Sequence, residues 1–260
     1  MNPAIEVLLH RKSVRAYEDR PITEEEKDEI LRAAMRAPTA GNMMLYSIIH
    51  VRDQEVKETL ARTCDNQPFI AKAPLVLLFL ADYQRWYDYF IHSGVEELCT
   101  QRGEALRKPE EGDLFLACCD ALIAAQTAVI AAESMAIGSC YIGDIMENYE
   151  IHRDLFNLPR YAFPICLLCF GYPTKQQQER PLTSRFRKDF IVFEDGYRRL
   201  DGRDFEQMFR QMQEQRLQGV KKSGGFDNVG QMMYLRKFSA AFSREMSRSV
   251  RAMLEAWVGG

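Results

Sequence analysis

The sequence predicts an α+β fold, and three observations predict it. Residues 23–38, "TEEEKDEILRAAMRAP", carry a helical apolar pattern with explicit signals at both ends. Three short apolar runs, "YSIIHV" (46–51), "PLVLLFLA" (74–81) and "FPICLLCFGYP" (163–173), have the length and composition of strands. Residues 113–137, "DLFLACCDALIAAQTAVIAAESMAI", are apolar nearly all round and predict a central buried helix.

Taken in order, residues 3–10 form a short helix with Ile5, Leu8 and Leu9 on one face. In the 23–38 helix Thr23 is the N-cap. Glu26, three residues on, completes a capping box. Ile30, Leu31, Ala34 and Met35 make the apolar stripe, and Pro38 ends the helix because the residue before proline avoids helical geometry. The strand at 46–51 is followed by a helix over 53–62 and the fully buried strand at 74–81. Residues 83–112 are polar, aromatic and uneven, and the pattern assigns them no element. After the apolar helix, "GSCYIGD" (138–144) reads as a small-residue turn, 149–159 as a helix and 163–173 as the third strand. Residues 174–189 form a long polar connection, of the kind that is usually functional or disordered. "FIVFED" (190–195) reads as a short strand, 203–218 as a helix and 219–230 as a glycine-rich basic loop. The last helix carries Phe238, Phe242, Met246, Val250, Met253 and Trp257, a stripe expected to pack on a second subunit. No repeat, low-complexity tract or linker divides residues 1–260. One domain is expected, with a core over about 1–200 and a helical C-terminal extension over about 201–260.

Composition narrows the function classes. The chain has 260 residues, 47% hydrophobic and 27% charged, with a formal net charge of −3. That balance argues against a global field for nucleic acid or anionic lipid, so any anion site is local. The basic residues of the last helix (Arg236, Lys237, Arg244, Arg248, Arg251) read as a solvated face rather than a nucleic-acid surface. The longest clean apolar run, 73–81, is far shorter than the ~20 residues that span a bilayer. Seven cysteines, odd in number and mostly in apolar surroundings, read as reduced thiols of a cytoplasmic protein. Cys166 and Cys169 form C-x-x-C within a strand, where i and i+3 face opposite ways and share neither a metal nor a disulfide. Four dispersed histidines lack ligand spacing, and no metal is expected.

Nucleotide and hydrolase signatures such as G-x-G-x-x-G after a strand, the P-loop and G-x-S-x-G are missing. What remains is "HRKSVRAY" (10–17), where Arg11, Lys12 and Arg15 surround Ser13. Cations at a helix end answer its dipole. The same set, guanidinium forks and a hydroxyl, also suits a phosphate monoester. The octet alone leaves both readings open. "APTAGN" (37–42) adds a turn whose small residues admit a planar ligand close to the backbone, or serve as a plain helix-to-strand loop.

Six segments in order, "RKSVRAY", "APTAGN", "NQPFIAKAP", "ESMAIGSCYIGDI", "LCFGYP" and "RPLTSRFRKDFIVFED", resemble the FMN-dependent nitroreductases, in the branch of oxygen-insensitive nitroreductases and NADPH-flavin oxidoreductases. The resemblance runs from about residue 5 to 200 and more loosely beyond. It implies a nitroreductase-like α+β fold with a mainly antiparallel central sheet flanked by helices, and a homodimer with FMN at the subunit interface. It implies that Arg11, Lys12, Ser13 and Arg15 form the N-terminal FMN motif, and that Pro38, Thr39, Ala40 and Asn42 form the turn under the flavin. Gln67 would contact the flavin, Tyr141, Ile142 and Gly143 would lie near its ring, and Arg185 would reach its phosphate. Met44, Met146 and Thr183 depart from the branch, which often has glutamine, arginine and lysine there. The implied chemistry is ping-pong hydride transfer from NADPH or NADH to FMN and on to nitroaromatics, quinones or flavins. Arg15 is a candidate for electrostatic support of the reduced ring. Lys221 and Lys222 are candidates for the nucleotide 2′-phosphate. A flavoprotein of the same fold with other chemistry, such as reductive dehalogenation, or with little turnover, is the competing reading.

Overall fold

The computed structural model describes residues 2–220 and 225–259, which fall into two compact units. One runs to Arg180 and resumes at Glu245; the other is Pro181–Arg244.

In chain order the first unit holds α1 (Pro3–His10), α2 (Glu24–Met35), β1 (Tyr46–His50), α3 (Gln54–Thr63), α4 (Phe69–Lys72) and β2 (Leu75–Asp82). There follow α5 (Gln84–His92), α6 (Val95–Arg102), α7 (Glu111–Ser134), β3 (Gly138–Ile142), α8 (Tyr149–Leu155), β4 (Ala162–Gly171) and α9 (Lys175–Glu179). The four strands form one antiparallel sheet in the order β1-β2-β4-β3. Alternation along the central strands decides the core. Leu75, Leu77, Phe79, Cys166, Leu168 and Phe170 share one cluster with buried residues of α2 and α7. Val76, Leu78, Leu80, Leu167 and Cys169 share the opposite cluster with Leu60, Ala61 and Ile70 of α3 and α4. Cys166 and Cys169 therefore lie on different faces, as their strand spacing requires, and all seven cysteines are free.

Local signals set the helix ends. Thr23 Oγ1 accepts from the Glu26 amide at 3.2 Å, and a Glu26 carboxylate oxygen accepts from the Thr23 amide at 2.9 Å. Residues 83–112, unassigned from sequence, contain α5 and α6, which meet at Gly94 in a left-handed conformation (φ 77°). The apolar helix is not buried all round. The alanine side of α7 (Ala117, Ala121, Ala124, Ala125, Ala128, Ala132) packs into the core, while Phe115, Leu116, Leu122 and Ile123 are exposed. By length and composition α7 could cross a bilayer, but that alanine face is spent on the sheet.

Three other expectations are corrected. "GSCYIGD" is not a turn throughout: Gly138–Ile142 is the edge strand β3, with Gly138 opposite Gly171 and Cys140 opposite Cys169. "FIVFED" forms no strand. Lys188–Phe190 is a 3₁₀ turn, and the Ile191 and Val192 amides donate back to the Lys188 carbonyl at 3.0 and 2.8 Å. The strand-like run closes locally because those amides find their acceptor within its own turn. The C-terminal stripe is not exposed along its whole length either: Phe238 is exposed, but the far end of the stripe packs on the chain's own core. In α12 (Ala241–Val258) Met253 and Trp257 are buried against Tyr149, Tyr161 and Phe163, and Trp257 Nε1 donates to the Glu110 carbonyl at 3.0 Å. Arg248 forks onto Glu150 and Glu245. In the second unit, α10 (Gly202–Val220) and α11 (Val229–Met233) enclose a small cluster of Phe209, Met212, Phe226, Val229 and Met232.

Candidate functional site

Residues 13–18 form an arm laid across the ends of β3 and β4. Ser13 bridges Ser139 in parallel and Tyr17 bridges Pro173. The Val14 amide donates to the Ser139 carbonyl at 2.8 Å, and the Glu18 amide to the Tyr172 carbonyl at 2.8 Å. Two glycines permit this approach. A Cβ on Gly138 would stand 2.5 Å from Val14 Cγ2, and one on Gly171 2.5 Å from the Tyr17 ring. Small residues in "GSCYIGD" and "CFGYP" therefore serve the arm.

The arm's cations differ in their commitments. Lys12 Nζ donates to the carbonyls of Gln178 (2.7 Å) and Arg180 (2.6 Å), and so caps the end of α9. Arg15 stands 5.9 Å from the centre of the Phe69 ring. Arg11 is half-buried, and its Nη1 is buried with no hydrogen-bond partner. Arg180, which sequence reading missed, donates to the Ser13 carbonyl. Burial pushes the Cys140 thiol up, while Arg15, Arg11, Ser13 and Arg180 pull it down. One buried thiol thus feels the whole group. Glu133 on α7 accepts from Ser139 Oγ at 3.1 Å, and burial raises its carboxyl against the pull of Ser139 and Arg11. A buried guanidinium N–H without an acceptor, among further cations and a hydroxyl, is a donor set that fits a phosphate group.

The 38–45 turn is organised from α7. Asp120, 2% exposed, accepts from the Ala40 amide (3.0 Å), the Leu45 amide (3.1 Å) and Thr39 Oγ1. Thr39 Oγ1 in turn accepts from the Met44 amide at 2.8 Å. These bonds hold Gly41, Asn42 and Met44 at positive φ (56°, 58° and 50°), conformations that cost energy for a non-glycine residue. Pro38, Gly41 and Asn42 face solvent. Among the described residues no hydrogen bond joins this turn to the arm.

Gln67 and the 141–143 segment do meet. Gln67 Nε2 donates to Asp144 Oδ2 at 2.8 Å and to the Cys64 carbonyl at 3.0 Å, which leaves its own carbonyl oxygen as the uncommitted end. Tyr141 is half-buried, and its hydroxyl donates to Gln126 Oε1 at 3.3 Å. Ile142 is buried, and a Cβ on Gly143 would meet nothing, so the backbone there is open to an incoming ligand. Beyond it Glu147 is 4% exposed with Oε1 unpartnered. Burial, then the charge of Asp144 and contact with it, then Asp65 and Glu245, push this carboxyl up to about 8. Sequence reading missed Asp120, Asp144 and Glu147; for Asp120 the signal was a lone acid inside "LACCDALIAA".

In the second unit Arg185 donates to the carbonyls of Thr183 (3.1 Å) and Ser184 (3.2 Å) and to Thr183 Oγ1 (2.7 Å). Lys221 and Lys222 lie outside the described residues.

An antiparallel α+β scaffold with a cationic arm pinned across one sheet end is the class these features define. The family model described as "Nitroreductase family" matches residues 8–172, and the chain belongs to that family of oxidoreductases. The FMN reductase (NADPH) of Bacillus subtilis is 32% identical over 76% of this chain and 75% of its own length. The oxygen-insensitive NADPH nitroreductase of Salmonella typhimurium is 29% identical over 77% of each chain. Among solved structures, NfrA2 of B. megaterium superposes with a TM-score of 0.79 at 26% identity, over 99% of this chain and 98% of that one.

Proposed function

We propose that the chain is an FMN-dependent NAD(P)H oxidoreductase, and that the cluster of Arg11, Ser13, Arg15 and Arg180 receives the FMN phosphate. The buried, unpartnered Arg11 Nη1 carries this reading, because a charged donor is not left without an acceptor at no cost. Bound FMN would supply hydride acceptance from NADPH or NADH and delivery to nitroaromatic, quinone or flavin acceptors. The protein's part is positional. Lys12 fixes the α9 end beside the arm. Asp144 holds the Gln67 amide by its nitrogen and leaves the carbonyl oxygen uncommitted for the ligand. The open backbone at Gly143 admits a flat ring, Tyr141 and Ile142 wall it, and Arg15 offers charge to its reduced form.

The 38–42 turn is held apart from the arm's hydrogen bonds on the helix that exposes Phe115, Leu116, Leu122 and Ile123. We therefore read it as reaching the site of a second subunit across a homodimer built on this apolar face of α7. Arg185 is proposed as a further phosphate contact, Lys221 and Lys222 as the source of an NADPH preference, and the cytoplasm as the setting.

The test is the absorbance spectrum of the purified protein. A flavin spectrum bleached by NADPH is expected, and Arg11→Ala should weaken FMN binding by about tenfold or more. A colourless protein that cannot be reconstituted with FMN overturns the reading.

A further inference from the structure

We propose that the cavity lined by Lys27, His50, Arg52 and Lys57 is a second anion site, built for a small multivalent anion of the phosphate class. It is separate from the arm and does not rest on the flavin reading. The cavity measures about 190 Å³, lies at the end of β1 and the start of β2, and is floored by Ile22, Pro74 and Leu75.

The observation that carries the proposal is Lys57. Its side chain is almost closed to solvent, at 8% exposure, and its ammonium donates to the Ala73 carbonyl at 3.0 Å. Among the described residues no carboxylate stands within ion-pair distance of it. An ammonium has three donors, and a buried charge without a counter-charge is costly. Consistent with that cost, burial holds the Lys57 pKa below the ordinary lysine value.

The neighbours deepen the deficit. Lys27 and Arg52 add two positive charges, and Glu24 is the single carboxylate lining the cavity, already paired with Lys27. Three cations against one carboxylate leave two positive charges unmatched. His50, half-buried at the β1 end, is held below its usual pKa by burial and by Lys27, Arg52 and Lys57, with Glu24 pulling the other way. Burial and an excess of cations over the one carboxylate thus favour its neutral form. A divalent phosphate would match the unmatched charge and take the free Lys57 donors. It would also let His50 bind its proton.

His50 is therefore the reporter. The experiment follows its imidazole resonance by NMR as pH is varied, at constant ionic strength, with sodium chloride, inorganic phosphate, pyrophosphate or ADP added. A saturable rise of the His50 pKa with a phosphate species, absent with chloride, is expected. Saturation by the inorganic ions assigns free phosphate; saturation by ADP alone assigns a phosphate ester. Lys57→Met, which keeps the buried stem, and Arg52→Ala, at an exposed position, should each weaken the effect about tenfold. A His50 pKa that ignores every phosphate species, or follows chloride equally, overturns the proposal. So does an unchanged response in a folded Arg52→Ala protein.

Discussion

Asp120 and Glu147 are both shut away from water, 2% and 4% exposed, yet their surroundings could hardly differ more. Asp120 looks onto two backbone amides and the Thr39 hydroxyl, and each is a donor. Glu147 looks onto Asp144, with Asp65 and Glu245 nearby, and one of its oxygens has no partner. Burying a carboxylate is tolerated when donors replace the lost water; otherwise the group keeps its proton. The first carboxyl is a structural anchor for the 38–45 turn. The second is a proton store beside the residue that orients Gln67.

The largest test of this contrast is Asp120→Ala. Removing the acceptor strands two amides and a hydroxyl in a buried place, at a cost of about 3 kcal/mol. Urea unfolding should show the loss with an unchanged slope. Asp120→Asn should fall between the two, since its amide group sets donors against donors. A near-neutral Asp120→Ala would mean that the turn is held by something else.

Glu147 should reveal itself through pH. Its folded pKa, about 8, lies above the ordinary value of 4.5, so the native state binds the extra proton between them. That contribution is fully present below pH 4.5 and is lost as pH rises through 8. Glu147→Gln should flatten the fall of stability between pH 4.5 and pH 8, by about 1.4 kcal/mol for each pH unit of slope removed. Identical profiles between pH 4.5 and pH 8 for variant and wild type would leave Glu147 an ordinary carboxylate.

The smallest effect is expected on the acid side. His152 is fully buried, with Nε2 2.8 Å from Thr63 Oγ1 and Nδ1 2.8 Å from the Ile145 carbonyl, and burial lowers its pKa. The unfolded chain takes up the proton first. The stabilisation from neutral His152 therefore stands above the ordinary histidine pKa and fades as pH falls below it. Urea unfolding at pH 7 and pH 5 measures the drop, and His152→Gln should remove this part of the acid slope.

What could be read from the sequence follows the range of the interaction. The capping box of Thr23 and Glu26 is complete within four residues and was legible. So were β2 and β4, whose apolar runs suit no exposed setting. β3 was not, because Gly138 and Ser139 look like turn residues until β4 and the arm are both beside them. "FIVFED" erred in the opposite direction, with strand composition but amides that bond back to the Lys188 carbonyl. The basic octet announced an anion site, but not that Lys12 would spend its ammonium on α9 carbonyls, nor that Arg180 would join it. Those are contacts across more than 160 residues. Asp120 lay in plain view and had no readable partner, since its donors come from a turn 75 to 81 positions earlier.

The arm also sets an order of events during synthesis. It is encoded by residues 13–18, but its docking partners are Ser139, Tyr172 and Pro173. A nascent chain emerges N-terminus first, so the basic octet leaves the ribosome with nothing to lie against. Closures between distant segments are slow to form. The arm can settle only after β4 has joined the sheet and brought Gly171 opposite Gly138. A translation product halted before Gly171 would carry every cation of the octet without the Tyr172 and Pro173 contacts that fix the far end of the arm. Among the first residues to be made, the arm is one of the last parts of the first unit to find its place.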